Sequence, residues 1–183
     1  MDFVRRDADD PMAIGDVDAP VVLSEWIDLR CPFCAVVSRE TMPTLMEEYV
    51  DAGKVRIEFH DVAYFGEESE DAAVAARAAA RQDRFVEFVT AVYDAAPERG
   101  HPDLPRNELI DFAEEAGVTD IEKFTADLED PKLRAEVQAS TQSAQQLGVT
   151  AVPFFVTGDT ALSGAQPTET FRELLDEALA AGE

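Results

Sequence analysis

Val21-Val22-Leu23-Ser24-Glu25-Trp26-Ile27-Asp28-Leu29-Arg30-Cys31-Pro32-Phe33-Cys34 is the stretch from which the fold is read. Residues 21–27 are a mostly apolar run bounded by Pro20 and Asp28, the pattern of a buried strand. Helical spacing starts just after Arg30 and continues to about Ala52. Pro32 falls in the first turn, where a missing N–H is tolerated. Pro43 lies well inside the helix and is expected to kink it. Asp51-Ala52-Gly53 closes it, and Val55-Arg56-Ile57-Glu58-Phe59 alternates as a second strand. The opening is β-α-β, with a Cys-Pro-Phe-Cys at the start of the helix.

Outward from this unit, residues 1–19 are polar and Asp-rich and read as an extended lead-in. From about Ser69 to Leu147 the pattern is helical throughout. Residues 71–82 are alanine-rich, and Phe85, Phe88, Val89, Val92 and Tyr93 share one face of the next helix, which Pro97 ends. Leu109, Phe112, Ala113 and Ala116 mark another, stopped by Gly117. Thr119 and Glu122 read as a capping box for a short helix with Phe124 and Leu128. Asp130-Pro131 opens a helix to Leu147-Gly148. Strand character returns at Val152-Pro153-Phe154-Phe155-Val156-Thr157, turns at Gly158-Asp159 and resumes to Ser163. A last helix carries Phe171, Leu174, Leu175, Ala178 and Leu179 on one stripe, with Thr168 near its start. The expected organisation is a lead-in (1–19), a first α/β half (20–68), a helical insertion (69–147) and a second half (148–183).

The 183 residues suit one domain with an insertion, and 46% hydrophobic residues suffice for a core without disulfides or metal. No apolar run is long enough to span a membrane. Basic residues near the N-terminus have no apolar stretch behind them, so they do not read as a signal peptide; a mature domain behind a new start methionine would look the same. Asp and Glu total 39 against 15 Lys and Arg, a net charge of −24. That balance argues against nucleic acid and anionic lipid, both of which need a basic surface. It favours a monomer and suits a salt-tolerant source.

The chain has two cysteines, and both lie in the CxxC. A sulfur at residue 31 sits near unpaired N–H groups and the positive end of a helix dipole. Stabilising an anion there contributes about 0.3–1 kcal/mol, up to ~2 when partly buried. That lowers a thiol pKa by roughly one unit from ~8.5. Arg30 could add to this. Cys31 is therefore the expected nucleophile, and Cys34, one turn on and buried, the resolving thiol. Inert cysteines or half a metal site are the other readings. The metal reading lacks ligands: a zinc site needs four, and His60 and His101 are far apart with no second CxxC. Glu25 is a lone carboxyl in an apolar strand, sharing a face with Leu23 and Ile27. Burial should raise its pKa and let it exchange a proton with Cys34; an arginine-paired Glu25 at a wet strand end is the alternative. His60 and His101 read as surface or packing residues, Met42 and Met46 as packing, and Asp9-Asp10 and Glu67-Glu68 as solvated surface.

The strand-to-helix CxxC, together with Thr150-Ala151-Val152-Pro153-Phe154-Phe155-Val156, resembles the thioredoxin superfamily. The helical insertion and the ending Ser163-Gly164-Ala165-Gln166-Pro167 resemble its DsbA-like disulfide oxidoreductase branch. The resemblance covers residues from about 12 to 181. It implies an α/β thioredoxin fold with an inserted all-helical subdomain. It further implies that the Val152-Pro153 bond is cis and faces the CxxC, that substrate backbone is received there beside Pro32 and Phe33, and that Glu25 matches the family's buried acid. The implied activity is disulfide formation in protein substrates, with no cofactor beyond the dithiol and with a redox partner that recharges it. The implied location is outside the cytoplasm; the cytoplasm is the alternative. One departure is the Pro32-Phe33 dipeptide, which lacks the basic residue of the strongest oxidants and predicts a weaker oxidant. The rival readings are a reductase or isomerase, a two-thiolate soft-metal protein, and a binding module with a vestigial CxxC.

Overall fold

The computed structural model describes residues 3–182. Among these residues five strands, β1 (Ala13–Ile14), β2 (Val21–Ile27), β3 (Val55–Asp61), β4 (Phe154–Thr157) and β5 (Thr160–Ser163), form one sheet in the order β1-β3-β2-β4-β5. Strand β2 lies at its centre and every residue of it is buried. It pairs in parallel with β3 and antiparallel with β4, which pairs with β5. A central strand covered on both faces needs no polar–apolar alternation, which is why residues 21–27 read as a nearly continuous apolar run.

The lead-in departs from the extended segment expected. Ala13–Ile14 forms a short strand, β1, antiparallel to β3. The segment before it is fastened by buried Glu58, whose two oxygens accept the N–H groups of Arg5 and Arg6 at 2.7 and 2.8 Å. Arg56 adds an ion pair to the same carboxylate at 2.9 Å. Gly15 has φ +94, and a Cβ there would lie 2.7 Å from the Val55 carbonyl oxygen, so only glycine lets the chain pass this close to β3. The acidic pairs are solvated surface only in part. Asp9 and Glu67 are exposed as expected, whereas Asp10 is bonded to Arg5 at 2.6 Å and Glu68 to Arg30 at 2.8 Å.

The helix after the CxxC runs from α1 (Pro32–Val36) to α2 (Met42–Leu45), with π-helical turns at Val37–Thr41 and Met46–Val50. It ends two residues earlier than its spacing suggested. Pro43 has no N–H and its ring crowds the carbonyl four residues back; the wider turn at Val37–Thr41 supplies the extra residue that accommodates it. Met42 and Met46 pack against the core, as expected.

Between β3 and β4 lie α3 (Glu67–Ala80), α4 (Phe85–Ala95), α5 (Arg106–Glu115), α6 (Ile121–Asp127) and α7 (Pro131–Gln146). Helix α3 packs against α4, α6 and α7, and α7 also touches β3. The cap of α6 is Asp120, whose side chain accepts the Lys123 N–H, rather than the expected Thr119. Aspartate one residue later in the chain offers the better acceptor. Helix α8 (Thr168–Ala181) packs on β2 and β4. Residues 152–153 precede β4 instead of belonging to it.

One ion pair ties the sheet to the helices. Buried Asp61 on β3 accepts the Nε–H and Nη2–H of Arg77 on α3, at 2.6 and 2.7 Å, and Arg77 reaches Glu136 on α7 through Nη1 at 3.1 Å. Arg77→Ala strands the Asp61 carboxylate, and we expect it to lower unfolding free energy by about 3–5 kcal/mol. Urea denaturation checks this; a loss under about 1 kcal/mol would mean the pair is solvated.

Candidate active site

β2 stops at Ile27 and α1 starts at Pro32, so residues 28–31 must reverse the chain. The turn closes through the Cys31 N–H on the Asp28 carbonyl at 2.9 Å. Cys31 thereby becomes the N-cap of α1, with extended backbone (φ −79, ψ 116), and its Sγ accepts the Cys34 N–H at 3.3 Å. A sulfur occupies the place where capping oxygens usually satisfy an orphan amide.

The two thiols differ sharply. The Cys34 thiol donates to Cys31 Sγ, the largest influence on Cys31; burial and the nearby Asp28 charge oppose it, and the N–H groups of Cys34 and Phe33 reinforce it. The balance holds Cys31 below the ordinary thiol range. Burial pushes Cys34 well above that range, and the neighbouring Cys31 and Glu25 charges push the same way. Both side chains are buried, at 2% and 1% exposure. Arg30 does not add to Cys31 as the sequence suggested. Its guanidinium turns away to the carbonyls of Pro102 and Phe65, each at 2.8 Å, and to Glu68.

Glu25 is 3% exposed. Its neighbours across the sheet are Phe59 on β3 and Phe155 on β4, and one of its oxygens has no hydrogen-bond partner. Burial among them raises its pKa to about 8, and its charge acts on Cys34. No arginine pairs with it among the described residues.

Facing the sulfur is the Val152–Pro153 peptide, which is cis. The Cys31 thiol donates to the Val152 carbonyl at 3.4 Å, while the Pro153 carbonyl accepts the Gly164 N–H at 2.8 Å. Cys31, Pro32, Phe33 and Val152 line one open cavity of about 850 Å³, with Phe65 and His101 on its wall. Phe33 is 61% exposed at its rim. Pro153 adjoins this cavity through Val152, and Cys34 and Glu25 lie beneath it in the buried interior.

Sequence reasoning missed three parts of this site. His101 is exposed at the cavity, its Nδ1–H donating to the Arg30 carbonyl at 2.8 Å and its ring stacked on Phe65 at 4.0 Å. Nothing but its place beside Gly100 and Pro102 in a loop could have pointed there. The loop after β3 brings Tyr64, whose hydroxyl donates to the Val149 carbonyl. Asp28, read only as the end of an apolar run, is wholly buried beneath the turn. His60, by contrast, is the packing residue expected, stacked on Trp26 at 4.6 Å, and burial lowers its pKa to about 3.

The thioredoxin family model matches residues 7–177. The probable disulfide bond formation protein D of Bacillus anthracis is 30% identical over 153 residues, covering 81% of this chain and 70% of that protein. The crystal structure of oxidised BdbD from Bacillus subtilis superposes with a TM-score of 0.85 at 22% identity, over 92% of each chain. A thioredoxin-like oxidoreductase from Silicibacter pomeroyi DSS-3 gives 0.76 at 28% identity, over 94% of this chain and 93% of its own.

Glu25 supplies a pH test. Its folded pKa lies above its ordinary value of 4.5, so the stability present below pH 4.5 is lost as the pH rises toward about 8. In the disulfide form, where no thiol titrates, wild-type stability should fall across this window by about 1.4 kcal/mol per pH unit more than that of Glu25→Gln. Urea midpoints at pH 5, 6, 7 and 8 measure both slopes, and parallel slopes would place Glu25 in water.

Proposed function

The chain belongs to the thioredoxin family, as a relative of disulfide bond formation protein D, and from this we infer that it is a thiol–disulfide oxidoreductase forming disulfide bonds in protein substrates. The observation that carries the reading is the pairing of a depressed Cys31 thiol with a strongly raised Cys34 thiol in one CxxC facing a cis-proline. Such a pair has one good leaving group and one thiol that stays protonated.

In the oxidising direction a substrate thiolate attacks Cys31 Sγ of the Cys31–Cys34 disulfide. The S–S bond breaks, a substrate–Cys31 disulfide forms, and Cys34 leaves as a thiolate in an apolar interior that disfavours charge. Glu25, held protonated by the same interior, gives its proton to Cys34 and takes it back in the reverse step. A second substrate thiolate then attacks the substrate sulfur of the mixed disulfide and releases Cys31 as the stabilised thiolate. The substrate departs with its new disulfide and the protein is left reduced. A redox partner must remove those two electrons before the next cycle.

Substrate chain is received at the cavity beside Val152, Pro153, Pro32 and Phe33, where apolar wall surrounds the sulfur. Disulfides persist in oxidising compartments, so the reading places the protein outside the cytoplasm. Among the described residues no helix is long and apolar enough to cross a membrane. The dithiol pair itself carries the electrons, so the cycle needs no further cofactor.

The test is the reduction potential of the Cys31–Cys34 couple in glutathione buffers, with oxidation of a reduced, unfolded protein as the activity assay. We expect a value less negative than about −200 mV, short of the roughly −120 mV of the strongest oxidants because Pro32-Phe33 carries no positive charge. Cys31→Ser should abolish activity, and Cys34→Ser should accumulate mixed disulfides. A potential near −270 mV would mark a reductase instead.

A further inference from the structure

Asp28 is 0% exposed, and no step of the exchange uses it. Its side chain meets only donors. One oxygen accepts the Arg30 N–H at 2.9 Å and the Ser69 hydroxyl at 2.8 Å; the other accepts the Tyr64 N–H at 2.7 Å. These hydrogen bonds favour the carboxylate, while burial opposes them and leaves Asp28 above the ordinary aspartate range. The donors come from the active-site turn, the loop after β3, and the first turn of α3. The Asp28 carbonyl in turn accepts the Cys31 N–H at 2.9 Å and the Tyr93 hydroxyl of α4 at 3.0 Å.

We propose that Asp28 is a positioning residue that locks the Cys31 turn to the helical insertion and, through its fixed negative charge beneath that turn, moderates the oxidising strength of the Cys31–Cys34 pair. The inference rests on the disulfide-exchange reading. Reduction by two thiols breaks the Cys31–Cys34 bond and leaves a thiolate at Cys31 and a thiol at Cys34. The two reductant sulfurs join as a disulfide and give up two protons, one to Cys34 and one to solvent. A negative charge nearby makes that product less favourable, hence the couple less oxidising. Asp28 does act on Cys31 in this sense, raising its pKa against the hydrogen bonds that lower it. The other titratable groups around the turn are Glu25 and Cys34 beneath, Tyr93 from α4, Tyr64 from the β3 loop and His101 on the Arg30 carbonyl; Arg30, the nearest cation in sequence, is turned outward to Glu68 and Asp103.

The experiment compares wild type, Asp28→Asn and Ser69→Ala for the Cys31 pKa, by thiolate absorbance, and for the equilibrium constant with glutathione. Asp28→Asn removes the charge and should lower the Cys31 pKa by about half a unit to one unit, shifting the equilibrium roughly 3- to 10-fold toward the dithiol. Ser69→Ala loosens the same lock but keeps the charge, and should not lower that pKa. A folded Asp28→Asn variant with an unchanged or raised Cys31 pKa overturns the proposal. Should that variant fail to fold, carboxyl NMR of the reduced wild type decides: Asp28 must be ionised throughout the pH range in which Cys31 loses its proton. An Asp28 still protonated across that range overturns it. A wild-type pair that never interconverts would sink the exchange reading and this inference together, whereas a cycling wild type beside an unshifted Asp28→Asn sinks only the latter.

Discussion

A strand buried along its whole length has to leave the sheet somewhere, and the means by which β2 leaves it governs the rest of the molecule. After Ile27 the backbone turns around the Asp28 side chain and closes on the Asp28 carbonyl, and helix α1 starts at once. The turn delivers a sulfur to the capping position, where an orphan amide awaits an acceptor. The Cys34 thiol and the helix's first N–H groups therefore activate Cys31, with no side-chain cation turned toward it among the described residues. Arg30 instead holds the loop around Pro102 in place and so shapes the cavity wall.

Two buried acids lie close under this turn in very different surroundings. Glu25 is set among aromatic rings and has an oxygen without a partner, whereas Asp28 is ringed by donors. Burial raises the pKa of both, but only at Asp28 do hydrogen bonds oppose it. The contrast suits Glu25 to the proton transfer proposed above and Asp28 to the charge proposed for it. The two surroundings differ within three residues because Glu25 lies inside β2, between β3 and β4, whereas Asp28 lies in the turn beyond it, where residues 64 and 69 bring donors.

Much of this was legible from the chain because the signals were local and periodic. The apolar run at 21–27, the helix from Pro32, the Asp130 cap and the lone Glu25 each announce themselves within a few residues. The cis bond at Val152–Pro153 was legible only through resemblance, since its spacing fits a trans proline equally well. What could not be read depends on partners distant in sequence. β1 exists because Ala13 and Ile14 find the open edge of β3. The direction of Arg30, the use of His101 and the role of Asp28 follow from where residues 64–69 and 101–103 arrive in space. The misplaced cap at Thr119 is a narrower failure: adjacent Thr and Asp compete for the same role, and backbone geometry chooses between them.

Helix α3 holds a consequence of another kind. Ala72, Ala73, Ala75, Ala76, Ala78 and Ala79 are all fully buried, so its neighbours close in on bare methyl groups from several directions. A core of leucines can drift by losing or gaining a methylene, compensated next door. Here the side chains already stand one step above glycine, and glycine weakens a helix interior. Almost every substitution must therefore add volume to a space that has none, and substitution in this segment is one-sided. The helix through which Ser69 reaches the active-site turn has, for that reason, few alternative spellings.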